Sequence, residues 1–126
     1  MNNVARMEVP NRMRSINVRL VIDNQPIVST IDYIVNTEGV IPVAIWVKTK
    51  KSESTLDREL RSSGKAVSLL LQYGCSLKEI SETFTRDSII GSAVWYLNKN
   101  LEDIIAGNQP DKLPNLSTQP TGYTIK

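Results

Sequence analysis

The side chains best suited to bind a ligand in this chain are basic, and several lie close together. Five of them fall within one short segment: Lys48, Lys50, Lys51, Arg58 and Arg61. If a helix begins within residues 52–55, its free N–H groups add partial positive charge beside these side chains. This arrangement favours binding of a phosphate group. The alternative interpretation is a solvated strand edge on which lysines prevent aggregation.

A second group of candidate ligand-binding residues surrounds the only phenylalanine. Phe84 and Arg86 together offer an aromatic face for a base and a guanidinium group beside it. Phe84 also lies one helical turn after Ile80, which is typical of a core residue. Further along, Trp95 suits a core or subunit-interface position. Asn98 carries an amide that can bind a base edge or a ribose hydroxyl, but a surface asparagine fits its position equally well.

The remaining arginines of the N-terminal half are dispersed. They are Arg6, Arg12, Arg14 and Arg19, with Asn11 nearby. They are interpreted either as a weaker binding group or as an ordinary basic arm.

The residues that catalysis would need are scarce. The chain has no histidine and a single cysteine, Cys75. There is thus no imidazole to act as a general base, and a zinc site or an internal disulfide is disfavoured. No glycine-rich phosphate loop or nucleophile elbow occurs. The sequence therefore predicts a protein that is not an enzyme and uses no metal or cofactor, with Cys75 as a small buried residue.

Length and hydrophobic pattern predict the elements that position these residues. A chain of 126 residues forms one domain. Ile16 to Ile22 alternates as a half-buried strand, and two further β-branched segments follow, Ile27 to Val35 and Val40 to Lys48. The turns between them are too short for parallel crossovers. We therefore expect a three-stranded antiparallel meander.

Three helices are predicted after the meander. The first is capped by Ser54 or Thr55, contains Gly64 where another backbone approaches, and ends at Gly74. A short second helix, about 77–84, starts with a capping box of Ser76 and Glu79. The third runs from about residue 88 to Ala106. Its apolar seam has coiled-coil spacing: Ile90, Val94, Leu97, Leu101 and Ile104.

This organisation is an α+β domain over residues 1–107, followed by an extended, proline-containing tail over residues 108–126. The apolar face of the third helix is broader than one small sheet is expected to cover. The last helix is therefore predicted to form a homodimer or higher-oligomer interface. The chain lacks a membrane-spanning run or signal peptide, so a cytoplasmic location without membrane contact is expected.

The segments that join the sheet to the helices resemble a known family. These are Lys50-Lys-Ser-Glu-Ser54, Ser68-Leu-Leu-Leu-Gln-Tyr-Gly74, Leu77 and Ile80. They are similar to the TSCPD domain, the C-terminal module of adenosylcobalamin-dependent ribonucleotide reductases that also occurs as small free-standing proteins. The resemblance covers most of the chain, from about residue 10 to about residue 105. It favours the phosphate-binding interpretation of the basic segment.

The order of sheet, basic helix start, aromatic residue after the short helix and long last helix also resembles phage Thoeris anti-defense proteins. That resemblance implies an oligomer in the host cytoplasm that sequesters a cyclic nucleotide or cyclic ADP-ribose-type signal without cleaving it. The ligand-binding residues would be Lys48, Lys51, Arg58, Arg61, Phe84, Arg86 and Asn98. The alternative is an accessory module of ribonucleotide reductase kind that binds protein or single-stranded nucleic acid.

Overall fold

A meander of three antiparallel strands opens the fold. The computed structural model describes residues 5–9, 12–50, 54–108 and 112–118. The strands are β1 (Arg14–Ile22), β2 (Gln25–Asn36) and β3 (Gly39–Thr49). The β1–β2 turn is Asp23–Asn24, and both residues have positive φ, as a two-residue hairpin turn requires. The predicted meander is therefore confirmed.

Three helices follow the meander, and a short fourth strand follows the helices. The elements are α1 (Thr55–Gln72), α2 (Leu77–Thr83), α3 (Ile89–Ile105) and β4 (Asn115–Leu116). The strand order in the sheet is β3-β2-β1-β4, and β4 runs parallel to β1. The α+β class is confirmed. Residues 112–118 of the predicted tail add a strand that the sequence does not predict.

Local capping interactions explain where each helix begins. The side chain of Ser54 accepts a hydrogen bond from Asp57 N, and that of Ser88 accepts one from Gly91 N. Ser76 and Glu79 form the predicted capping box of α2. Gly91 is needed for another reason, because a Cβ atom there would lie 1.8 Å from the carbonyl oxygen of Thr85. Any larger residue at position 91 would therefore clash with the backbone of the α2–α3 turn, which passes against the first turn of α3.

One face of the sheet packs against α1 and α3 and forms the hydrophobic core. Its fully buried members include Leu20, Ile31, Ile45, Val67, Val94 and Leu97. The opposite face of the sheet carries mostly polar and half-buried side chains. An antiparallel sheet with one packed and one open face gives the alternation seen in β1.

The apolar seam of α3 belongs to this core. Ile90, Val94, Leu97 and Ile104 are buried within the single chain, and Leu101 is half-buried against the same cluster. Helix α2 packs on α3 together with β1, so the part of this face that the sheet does not cover is covered within the chain, and the seam needs no second subunit to bury it. An oligomer remains a prediction, but the seam gives no support for it.

Candidate functional site

Helix α1 lies along the outer edge of β3, and this placement fixes the basic residues of the first candidate group. The hydroxyl of Ser68 accepts from Ile45 N (2.9 Å) and donates to Ile45 O (3.0 Å). Gln72 Nε2 donates to Val43 O (3.2 Å). A Cβ atom on Gly64 would lie 3.1 Å from Ile45 O, so this glycine allows the close approach that its sequence position predicts.

Asp57 fastens the start of the helix to the end of the strand. Only 1% of this residue is exposed. Its Oδ1 accepts hydrogen bonds from Thr49 N (3.0 Å) and Thr49 Oγ1 (3.3 Å). Its Oδ2 accepts from Arg61 Nε (2.9 Å) and Nη2 (2.7 Å). The guanidinium group of Arg61 is thereby oriented beside β3, although 53% of that side chain remains exposed.

A cavity of about 430 Å³ opens where the open face of the sheet meets the start of α1. We name it the open-face cavity. It is lined by Thr30, Trp46, Val47, Lys48, Thr49, Asp57 and Arg61. Two of the predicted binding residues, Lys48 and Arg61, therefore share one cavity.

The main aromatic group of the open-face cavity is Trp46. It is 42% exposed, which is high for a tryptophan in the middle of a strand. Its Nε1 donates to Asp32 Oδ2 (3.0 Å), and this bond fixes the orientation of the indole. Asp32 also accepts a hydrogen bond from Ser15. An exposed indole with a fixed orientation, in a cavity that two cations also line, can stack on a planar ligand group.

The cross-strand register extends the basic surface over the open face of the sheet. Arg19 pairs with Val28, and Val28 pairs with Lys48, so the three residues form one row. Asn17, Thr30 and Trp46 form the next row. Arg19, from the dispersed arginine group, is exposed on the same face as Lys48.

Phe84 and Arg86 do not line the open-face cavity. Phe84 is half-buried and packs against the hydrophobic core, which favours its core interpretation. Arg86 Cζ lies 4.0 Å from the centre of the Trp95 ring, and Lys99 Nζ lies 5.0 Å from it. Arg86 Nη2 donates to Ser117 O (3.0 Å). In this structure Arg86 joins the α2–α3 turn to α3 and to the C-terminal segment.

The other predicted residues also lie apart from the open-face cavity. Asn98 lines a separate cavity of about 400 Å³, between the end of α1, β3 and α3. Arg58 is exposed on α1 and lines none of the cavities described here. Lys51 lies outside the described residues. The single composite site built from all seven predicted residues is therefore not assembled in the structure.

Sequence reasoning missed Trp46, although a signal for it exists. In β3 the residues Ile45, Val47 and Thr49 alternate with Trp46 and Lys48. The strand period places the second pair on the face opposite the core. A tryptophan on the solvent side of an amphipathic strand was the observable sign of this site.

The described residues form neither a metal-binding cluster nor a membrane-spanning helix. Among the described residues, no group of three or more His, Cys, Asp or Glu side chains could hold a metal ion. No described helix is both long and apolar enough to cross a membrane. No protein-family model, curated protein or solved structure matches this chain.

Proposed function

We propose that this chain binds and sequesters a phosphate-bearing nucleotide in the open-face cavity without cleaving it. The observation that carries the proposal is that the exposed indole of Trp46 lines the same cavity as Lys48 and Arg61. A base would stack on Trp46, and the phosphate would lie between the two cations. The volume of about 430 Å³ is in the range of small-molecule sites.

The groups in the cavity support the proposal that the ligand stays intact. The chain has no histidine. Among the described residues, Asp57 is the one carboxylate that lines the cavity, and it forms hydrogen bonds with Thr49 of β3 and with Arg61. A carboxylate that holds two elements together is poorly suited to accept a proton from a substrate. On the resemblance to phage Thoeris anti-defense proteins, we propose that the ligand is a cyclic nucleotide or cyclic ADP-ribose-type signal that the protein sequesters in the host cytoplasm.

The direct test is to identify what the protein binds and in what form it is released. The protein is incubated with cyclic ADP-ribose isomers and with cyclic di- and trinucleotides, and binding is measured by calorimetry. The bound fraction is then released by heat and analysed by mass spectrometry. An intact ligand supports sequestration, whereas a cleaved ligand contradicts it. The absence of binding to every member of the panel contradicts the nucleotide proposal.

Variants locate the site. Trp46→Ala should weaken binding by about 1–3 kcal/mol, the usual contribution of one stacked base, with little loss of stability. Lys48→Ala should weaken binding and reduce its salt dependence. Phe84→Ala is the matched aromatic control, because Phe84 packs on the core and lies outside the cavity. If Phe84→Ala loses the ligand while Trp46→Ala retains it, the site is not the open-face cavity.

The open face also favours a second candidate ligand, single-stranded nucleic acid. Arg19 on β1 and Lys48 on β3 lie in one cross-strand row of this face, and Trp46 lies in the next row. Oligonucleotides form a separate arm of the same experiment. A length-dependent affinity for oligonucleotides, together with no affinity for cyclic nucleotides, would favour this candidate.

A further inference from the structure

The outer edge of β1 presents backbone groups that have no partner. In an antiparallel pair, alternate residues direct their N–H and C=O groups away from the neighbouring strand. Val21 N donates outward to Pro114 O (2.8 Å), and Asp23 N donates to Leu116 O (3.0 Å). The same alternation directs the backbone of Ser15, Asn17 and Arg19 outward. Within the described residues, these outward groups form no hydrogen bond.

This open segment is already shaped to receive a strand. β4 pairs in parallel with Val21 and Ile22, immediately after it in β1. The backbone that accepts β4 continues without a bulge through the β1–β2 ladder, because the register from Arg14 to Ile22 is regular. An added strand beside residues 15–19 would therefore extend the same ladder.

The charge of β1 selects the partner. From Arg12 to Ile22 the chain carries three arginines, Arg12, Arg14 and Arg19, and no acidic residue. All three arginines are exposed. Two copies that paired through this edge would bring six arginines together, and like charges oppose such pairing. A strand with acidic side chains has the complementary charge.

The two faces of the edge differ in what they would contact. Arg19 is exposed on the open face of the sheet. On the core side, Ile16 is half-buried, and a cavity of about 240 Å³ lies between β1 and the end of α3. That cavity combines the apolar Val18 and Leu113 with the polar groups of Tyr96, Asn100 and Asp103, so it suits an uncharged side chain with a hydroxyl group. A strand with acidic residues on the face toward Arg19 and threonines on the face toward the core-side cavity fits both sides of the edge.

We propose that the β1 edge, residues 15–19, is a docking site at which an extended acidic segment of another protein adds as a further strand. Its backbone bonds to Ser15, Asn17 and Arg19, its acidic side chains lie beside Arg19 on the open face, and its alternate side chains meet the core-side cavity. This docking is independent of nucleotide binding in the open-face cavity.

The test uses the full chain and a labelled peptide of alternating Glu and Thr, with fluorescence anisotropy for affinity and amide hydrogen exchange for location. We expect salt-sensitive binding and slower exchange at the amides of Ser15, Asn17 and Arg19. Asn17→Pro removes an outward N–H at an edge position that tolerates proline, and should weaken binding at least about tenfold. Asn17→Ala is the matched control, since it loses the same side chain but keeps the N–H, and should bind like wild type. Arg19→Glu should also weaken binding at least about tenfold.

Several outcomes would overturn the proposal. One is failure of the peptide to bind, and another is binding that Asn17→Pro leaves unchanged. Binding without slower exchange at the three β1 amides would show a charge contact in place of a strand. If these amides are already protected in the free protein and light scattering shows a dimer, a second copy occupies the edge. Protection of the same amides in a monomeric free protein would show that the chain covers its own edge.

Discussion

The two edges of the sheet differ in how their outward backbone groups are hydrogen-bonded. At the β3 edge, α1 runs alongside the strand, and its buried polar side chains bond to the outward backbone groups. At the β1 edge, the described part of the chain pairs only Val21 and Ile22, through the two-residue strand β4. Both strands are amphipathic, so the difference arises from what lies beside them and not from the strands themselves.

This contrast explains why α1 buries polar residues at all. Asp57, Ser68 and Gln72 are buried, and each has a hydrogen bond to the backbone of β3. Buried polar groups are tolerated when they are satisfied, and here they close an edge that would otherwise be a template for aggregation. Among the described residues, no side chain forms such hydrogen bonds with the β1 edge over residues 15–19, and exposed arginines disfavour its pairing with a second copy.

The strongest test of the contrast is Asp57→Ala. The change removes four hydrogen bonds and leaves Thr49 N without this acceptor in a buried position. We expect a loss of about 3 kcal/mol in the free energy of unfolding, measured by urea denaturation. Arg61→Ala is the control, and because that side chain is half-exposed it should cost less than about 1 kcal/mol. Equal losses in the two variants would show that Asp57 acts only through its ion pair.

A smaller effect is expected for Ser68→Ala. This change leaves Ile45 N and Ile45 O without the side chain that bonds to both. We expect a loss of about 1–2 kcal/mol. Ser62→Ala, on the exposed side of the same helix, should change stability by less than about 0.5 kcal/mol. Asn17→Ala at the β1 edge should be similarly mild, and a loss equal to that of Ser68→Ala would remove the proposed difference between the edges.

Sequence reasoning was most successful where the determinants are local. Ser54, Ser76 and Ser88 cap helices through contacts within a few residues, so the helix starts could be predicted. The seam of α3 was also recognised from its period. Its partner was not, because a period identifies an apolar face without specifying whether another subunit or the same chain covers it.

The candidate site shows the same division. Lys48 and Arg61 were found from charge alone, and the fold brings them into one cavity. No local sequence pattern predicts that Arg86 contacts Trp95 and Ser117, since the contact with Ser117 spans 31 positions. Asp57 was overlooked for a related reason. An acidic residue in the first turn of a helix is common, because it interacts favourably with the helix dipole, so its position did not indicate a bond to β3.

The smallest expected effect concerns the C-terminal segment that covers the end of the β1 edge. Thr118 N and Thr118 Oγ1 donate to the Asp23 carboxylate (2.8 and 2.6 Å). The hydrogen bond from the Thr118 side chain, followed by that from its backbone, lowers the pKa of Asp23 below its ordinary value of 3.8. The pKa of Asp23 is lower when the C-terminal segment is bound to it. The contact therefore stabilises the bound segment at pH values above the ordinary pKa of Asp23, and this stabilisation is lost as the pH falls through the lowered pKa.

We therefore expect the amide of Thr118 to lose its protection from hydrogen exchange only below about pH 4, near the unperturbed pKa of an aspartate. Hydrogen bonds from Ser76 also lower the pKa of Glu79, so overall stability falls in the same range, and a local probe is required. Asp23→Asn keeps an acceptor but does not titrate, so protection of Thr118 should then lose this pH dependence. A wild-type segment that stays docked at pH 2, or that detaches with the same pH profile in Asp23→Asn, would show that other contacts hold β4 at the β1 edge.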